Sequence, residues 1–489
     1  MSAVNSVSRL AIEEEAIMDR AVKDIPDIVC LSSIFSTDRI LIHSGFIENL
    51  SKFARPVIWS RAVFEETFAR ENDYSKYFEP ISTTHSIPYW LTLFRHFGDY
   101  MRDHKGLSAS RHSHWNLRKA GVSAFAERFL RSTARLFAST RADYWVDHGL
   151  EAAVLRYGQS AAALKRLEKQ KPASVIAMGP FKVSQMSIVA AAKQLSIPTI
   201  AYITSWDNIT TKTGLVFRYD GYIVWSEQMK RELQEFYPAA RSRPVYVIGA
   251  PQYDVFTQER FVQTREEFFR LNNLDLARPL VLYCLGSPNI IREDYGALQF
   301  VERISESSDL SNIQVIVRPH PGFFEKGYTE LDAIRSRYPG VMIQSPHRHW
   351  QKTAFQGRES IIEWVNTLRH SDVVVNFAST ISVDAAVCDK PVVNLDFDPE
   401  PGMPNQDLVK EVNHKWNHFR PVAESGGVWM AEDMEEVVTA VRTYLENPQL
   451  HREQRRWIVQ YVCERVDGSA GKRMADAVAD IVGAKPCQS

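Results

Sequence analysis

Two stretches of this 489-residue chain carry side chains suited to an anionic group. The first is Arg318-Pro319-His320-Pro321-Gly322. Proline fixes its own φ and restricts the residue before it, so His320 is held with little freedom beside a cation. The second is Asn376-Phe377-Ala378-Ser379-Thr380, followed by Asp384. Ser379 or Thr380 can cap a helix running through Cys388, and the free N–H groups and positive dipole end there suit a phosphate or diphosphate. Asp384, about one turn on, can accept hydrogen bonds from ribose hydroxyls. Such groups would stabilise the charge that grows on a leaving phosphate or diphosphate as a glycosidic or phosphodiester bond breaks. His320 could also give the leaving oxygen a proton. A stiff turn and an ordinary capped helix are the plain alternatives.

The positioning elements are short buried strands. Leu280–Leu285, Gln314–Val317, Val341–Ile343, Val373–Val375 and Val392–Leu395 are apolar, largely β-branched runs. Each ends in polar, Gly, Pro, His or Ser residues, and helical stretches intervene, which predicts a parallel α/β sheet. In a doubly wound sheet such ends share one edge. Ser287, in Gly286-Ser287-Pro288, and Ser345, in Gln344-Ser345-Pro346-His347, therefore join Arg318, His320, Ser379, Thr380 and Asp384 as candidate phosphate- and nucleotide-binding residues.

The first half repeats the rhythm. Strands are expected at Asp27–Ser32, Pro56–Ser60, Ser174–Met178, Thr199–Thr204, Tyr222–Trp225 and Val245–Ile248, with a helix over Ile40–Phe53. Asp207, in Ser205-Trp206-Asp207-Asn208, and Asp38 and His43, after the first strand, are the candidate bases for an acceptor hydroxyl, in the order Asp207, Asp38, His43. Each can equally cap or hold a turn.

The expected domains are 1–255, with a helical insertion at about 61–170, and 256–489 with C-terminal helices. Within the insertion, 101–171 holds 14 Lys+Arg against 6 Asp+Glu, a difference of +8. Phe125, Phe129, Leu136 and Phe137 recur there at helical spacing, with Arg128, Arg131 and Arg135 on another face. We expect the aromatic side to pack on the core, while the arginines can meet an anionic bilayer as a peripheral contact.

The formal net charge is −1, so no global field favours nucleic acid or membrane. Five cysteines without a CxxC pair are expected to be reduced thiols of a cytosolic protein. The N-terminus does not read as a secretory signal, and no run approaches the length of a membrane span.

At Ile248–Asp254 (IGAPQYD), VIVRPHPG, SDVVVNFASTISVDAAVCDKPVVNLD and, more weakly, DGSAG, the chain resembles the GT-B nucleotide-sugar glycosyltransferases, and more narrowly the bacterial surface-polysaccharide and CDP-glycerol glycerophosphotransferase branch. The resemblance covers about Leu280–Asp398 well and the first half in outline. It implies two Rossmann-like domains across a cleft, the second binding the nucleotide donor and the first the acceptor, with the last helices crossing back. It implies that His320 contacts donor phosphate, Ser379 and Thr380 bind phosphate, and Asp384 meets the ribose. Relatives more often have Glu at the position of Asp384, and Gly where this chain has Asp389. No metal-binding DxD ends a strand, which suits the class's usual metal independence. The expected function is therefore sugar transfer from a nucleotide-activated co-substrate, with no further cofactor, to a surface polysaccharide or lipid-linked glycan. A CDP-alditol-dependent glycerol- or ribitol-phosphate transferase and a catalytically inactive scaffold are the alternatives. The UDP-N-acetylglucosamine 2-epimerases share the fold and rank lower, because their RRE-type loop is not found.

Overall fold

The computed structural model describes residues 25–32, 35–81, 87–105, 107, 114, 116–138, 140–320, 327–344 and 357–484. The strands are β1 Asp27–Leu31, β2 Arg55–Ser60, β3 Phe78–Pro80, β4 Ser174–Ala177, β5 Thr199–Tyr202, β6 Gly221–Val224, β7 Val245–Val247, β8 Leu280–Cys284, β9 Gln314–Arg318, β10 Met342–Ile343, β11 Val373–Asn376, β12 Val392–Leu395 and β13 Trp429–Ala431. The helices that matter below are α1 Phe35–His43, α2 Phe46–Leu50, α3 Tyr89–Met101, α4 Ala124–Leu136, α5 Thr140–Tyr157, α6 Glu293–Glu306, α7 Arg358–His370, α8 Thr380–Val387, α9 Arg452–Cys463 and α10 Ala470–Val482.

The strands form two sheets, β3-β2-β1-β4-β5-β6-β7 and β10-β9-β8-β11-β12-β13. Every pairing is parallel. A parallel sheet is covered on both faces, which explains runs such as Ile28–Leu31 and Leu280–Cys284 that are buried without alternation. Both sheets reverse their winding once, between β1 and β4 and between β8 and β11. The loops leaving the strands on either side of such a reversal diverge and open a crevice.

Two Rossmann-like units are therefore present. Val255 lies in a buried 3-10 turn, Pro251–Thr257, between them. The chain then returns: α10 packs on α2 and β6 of the first unit. The approach is close enough that a Cβ on Gly471 would collide with the backbone carbonyl of Ser44.

Three local expectations are corrected. The helix expected over Ile40–Phe53 is two helices, α1 and α2, divided at Gly45, whose φ of +78° favours glycine. The insertion is not purely helical, because β3 extends the first sheet. It is three residues long and ends in Pro80, a composition tolerated at an edge and too brief for a periodic signal. The α4 helix presents its aromatic residues outward: Phe125, Phe129 and Leu136 are 77%, 67% and 84% exposed.

Cys30, Cys284, Cys388 and Cys463 carry free thiols, and no helix among the described residues is long and apolar enough to cross a membrane.

Candidate functional site

The crevice of the second sheet is framed by the exits of β8, β9 and β11. The β9 exit carries His320, half-buried, and burial lowers its pKa to about 4. The imidazole is therefore neutral at pH 7. The Tyr328 hydroxyl donates to the Gly286 carbonyl at the β8 exit and accepts the backbone N–H of His320. One tyrosine thus bonds to the exits of both β8 and β9.

At the β11 exit Ser379 is the N-cap of α8, accepting from the Ile381 N–H at 3.2 Å and donating to Asn376 Oδ1 at 3.0 Å. Ser382, one turn on, donates its hydroxyl within this network, 3.2 Å from Asn376 Oδ1 and 3.1 Å from Asn394 Oδ1. Thr380 occupies the first helical position and is partly exposed. The hydroxyl-rich turn expected from sequence thus opens a helix at a strand exit of the crevice. Ser287 accepts from the Asn289 N–H at 3.3 Å within the β8 exit loop. Ser345 lies outside the described residues.

Two other candidates are placed differently. Arg318 ends β9, but its guanidinium is 3.0 Å from Glu363 on α7 and also bonds Gln344. It braces β9 against α7 rather than presenting a free cation to a leaving group. Asp384 is buried, and its carboxylate accepts from Tyr253 Oη at 2.6 Å and Trp364 Nε1 at 3.2 Å. Burial raises its pKa to about 6, against the lowering influence of Tyr253, Arg39 and Trp364. In this arrangement Asp384 ties α8 to Tyr253 at the junction of the two units.

Sequence reasoning missed Glu293, at the start of α6. Its carboxylate accepts the backbone N–H of Gly286 at the β8 exit and lies near the backbone N–H of Phe377 at the β11 exit. It therefore lies between the two strands where the winding reverses. Burial is the main reason its pKa rises to about 8; the two N–H groups oppose the shift and neighbouring Asp294 adds to it. Asp294 itself pairs with Arg292 through bonds of 2.9 and 2.7 Å. The run Arg292-Glu293-Asp294 just after a strand exit was the available signal.

Across the interface lie the exits of the first sheet. The Arg39 guanidinium on α1 sits 4.4 Å from the Trp364 ring centroid, beside Asp384. Asp38, the preceding residue, is buried, accepts from Ser60 Oγ at 3.0 Å, and is raised by burial to about 7. Asp207 follows β5 and accepts from Asn208 and Thr211, each at 3.0 Å. Burial would raise its pKa, but Lys212, His418 and the hydroxyls of Ser205 and Thr211 hold it at about 2. His418, from the second unit, packs edge-on to Trp206 at 5.2 Å. His43, the remaining candidate base, sits at the far end of α1 against Phe261, 5.4 Å between centroids. Burial, with Arg260, Arg39 and Arg358 nearby, lowers its pKa to about 3, which makes the ring a weak base.

A cavity of about 480 Å³ lies at the opposite, amino-terminal edge of the second sheet, lined by Arg265, Arg278, Asp372 and Lys390. In open α/β sheets ligands bind at the other edge.

No family model and no curated protein sequence matches the chain. Solved structures do. S. aureus MnaA, in a co-structure with UDP, aligns with a TM-score of 0.53 and 10% identity, covering 94% of this chain and 97% of that one. UDP-GlcNAc 2-epimerase from Methanocaldococcus jannaschii aligns with a TM-score of 0.53 and 13% identity, over 93% and 99%. A glycosyltransferase from Rickettsia africae aligns with a TM-score of 0.50 and 9% identity, over 94% and 99%. At such identities the likeness establishes the fold alone: two facing Rossmann-like domains of the GT-B type.

Proposed function

We propose that this GT-B protein transfers a sugar from a nucleotide-activated donor to a hydroxyl of a glycan or lipid-linked acceptor, without a further cofactor. What supports the reading is that the Glu293-braced loops and the Ser379–Thr380 helix end lie at the exits of β8 and β11, where the second sheet reverses its winding, with His320 at the exit of the neighbouring β9. The donor diphosphate binds there. The neutral His320 ring offers an N–H hydrogen bond to the leaving oxygens, and an anion bound beside it raises its proton affinity. The helix N-terminus adds N–H groups aimed at the same charge. Arg318 acts by holding β9 in register with α7. The acceptor hydroxyl is activated from the first sheet's edge. Asp38, at about 7, has a proton affinity suited to a general base at neutral pH, whereas Asp207, at about 2, is a weak one. Asp38 is buried against Ser60 of the first unit, so this role requires the surroundings of α1 to open as the acceptor enters.

The fold is shared by epimerases and a glycosyltransferase, and the choice between them is chemical. Release of nucleoside diphosphate that depends on added acceptor supports transfer. Interconversion of the donor sugar without acceptor contradicts it and supports epimerisation. Transfer of an alditol phosphate from a CDP-alditol, with release of CMP, contradicts sugar transfer while keeping the same phosphate site. His320→Ala, with the fold checked by circular dichroism, should lower kcat on the order of a hundredfold.

A further inference from the structure

The α4 helix lies on α3, and its two sides have opposite chemistry. Inward are Ala134 and the helix's one carboxylate, Glu127, which accepts from Tyr100 Oη at 3.1 Å and pairs with Arg118 at 3.0 Å and with His114. Arg131 also turns this way, 3.3 Å from Asp103 and 5.8 Å from the Tyr100 ring centroid. Outward are Phe125, Phe129 and Leu136, each more than two-thirds exposed, and Phe137 follows at the C-cap. At about 100° per residue the first three fall within roughly 40° of one another, and Arg128 and Arg135 flank them on one shoulder. The outer face thus presents a narrow apolar stripe, two cations and no acid.

Large apolar side chains gathered on one exposed face mark an interaction surface. The flank decides the partner. With Glu127 turned inward, the complementary surface is anionic, and a row of phenyl and leucyl groups beside arginines matches the boundary between lipid phosphates and acyl chains. We propose that α4 docks the protein on an anionic bilayer, with Phe125, Phe129 and Leu136 below the phosphates and Arg128 and Arg135 among them. Arg131, bound to Asp103, is not part of the contact. The proposal does not depend on the reaction catalysed, and its test requires no turnover.

Full-length protein is sedimented with vesicles of phosphatidylcholine alone or mixed with phosphatidylglycerol. Binding is expected on the mixed vesicles and should weaken as salt rises. Arg128→Gln/Arg135→Gln should lower the partition coefficient by about 25-fold, roughly fivefold for each basic residue. Phe125→Ser/Phe129→Ser/Leu136→Ser, which keeps the charge, should lower it at least about tenfold. Both variants change exposed residues, so each should keep the wild-type circular dichroism spectrum and melting temperature. Failure of the wild type to bind anionic vesicles at low salt overturns the proposal, as does wild-type binding by the triple variant. Light scattering that shows a dimer dispersed by the triple variant also overturns it, because a second copy then covers the face.

Discussion

The hydroxyl of Tyr253 donates to Asp384 at 2.6 Å, across 131 positions of sequence. Tyr253 belongs to the turn between the two sheets, and Asp384 to the helix that opens at the candidate phosphate site. The bond therefore couples the junction of the units to α8. Tyr253→Phe leaves a buried carboxylate oxygen short of a donor, and should lower unfolding free energy by about 1–3 kcal/mol in urea titrations at pH 7.5. Asp384 has a folded pKa above its ordinary one, at about 6. Its ionisation therefore opposes folding as pH rises from about 4 to 6. Unchanged stability in Tyr253→Phe would mean that the coupling is energetically silent.

Glu293 sets a second pH dependence. Its pKa rises from an ordinary 4.5 to about 8 in the fold. Between those values the folded chain holds a proton that the unfolded chain has lost, so this group's contribution to stability falls as pH rises through the window and is level above it. Glu293→Gln cannot titrate. Wild type should therefore lose stability relative to the variant between pH 5 and 8, by up to about 4–5 kcal/mol at full burial. Parallel melting temperatures of the two proteins across that range would contradict the assignment.

The base can be identified from the acid limb of kcat/KM. If Asp38 accepts the acceptor proton, activity should fall below about pH 7 and Asp38→Asn should be nearly inactive. If Asp207 does so, no such limb appears in the neutral range, because that carboxyl stays ionised down to about pH 2. A limb near 7 that persists in Asp38→Asn would contradict the preference for Asp38.

The return of the chain to the first unit rests on Asp254 and Gly471. Asp254 accepts the N–H groups of Ala470 at 3.3 Å and Gly471 at 2.8 Å, capping α10 from 217 positions away. Gly471→Ala should destabilise the protein by about 1–3 kcal/mol, because the added Cβ meets the Ser44 backbone, which cannot yield as a side chain would. A wild-type melting temperature in that variant would show the contact to be looser than the structure has it.

Much of the second sheet was legible because its strands are buried on both faces: runs such as Leu280–Cys284 and Val373–Asn376 need no partner to be read. The cap at Ser379 was legible for the same local reason. The partners of Arg318 and Asp384 were not, since Glu363 and Tyr253 lie far off in sequence and only the folded chain brings them close. Helical spacing revealed a stripe at Phe125, Phe129 and Leu136 but carries no information on which side meets solvent. The motifs IGAPQYD and DGSAG are far apart in sequence, and the bond between Asp254 and Gly471 joins them in the fold. The charged run Arg292-Glu293-Asp294 marks a strand exit in the sequence, but the burial that sets Glu293 apart exists only in the folded chain.

If a donor diphosphate lies at the winding reversal of the second sheet, a crystal structure with a nucleoside diphosphate should show it there. Phosphate oxygens are expected within hydrogen-bond distance of the His320 ring and of the backbone N–H groups at Ser379 and Thr380. Phosphate held instead in the cavity lined by Arg265, Arg278 and Lys390, at the other edge of the same sheet, would contradict it.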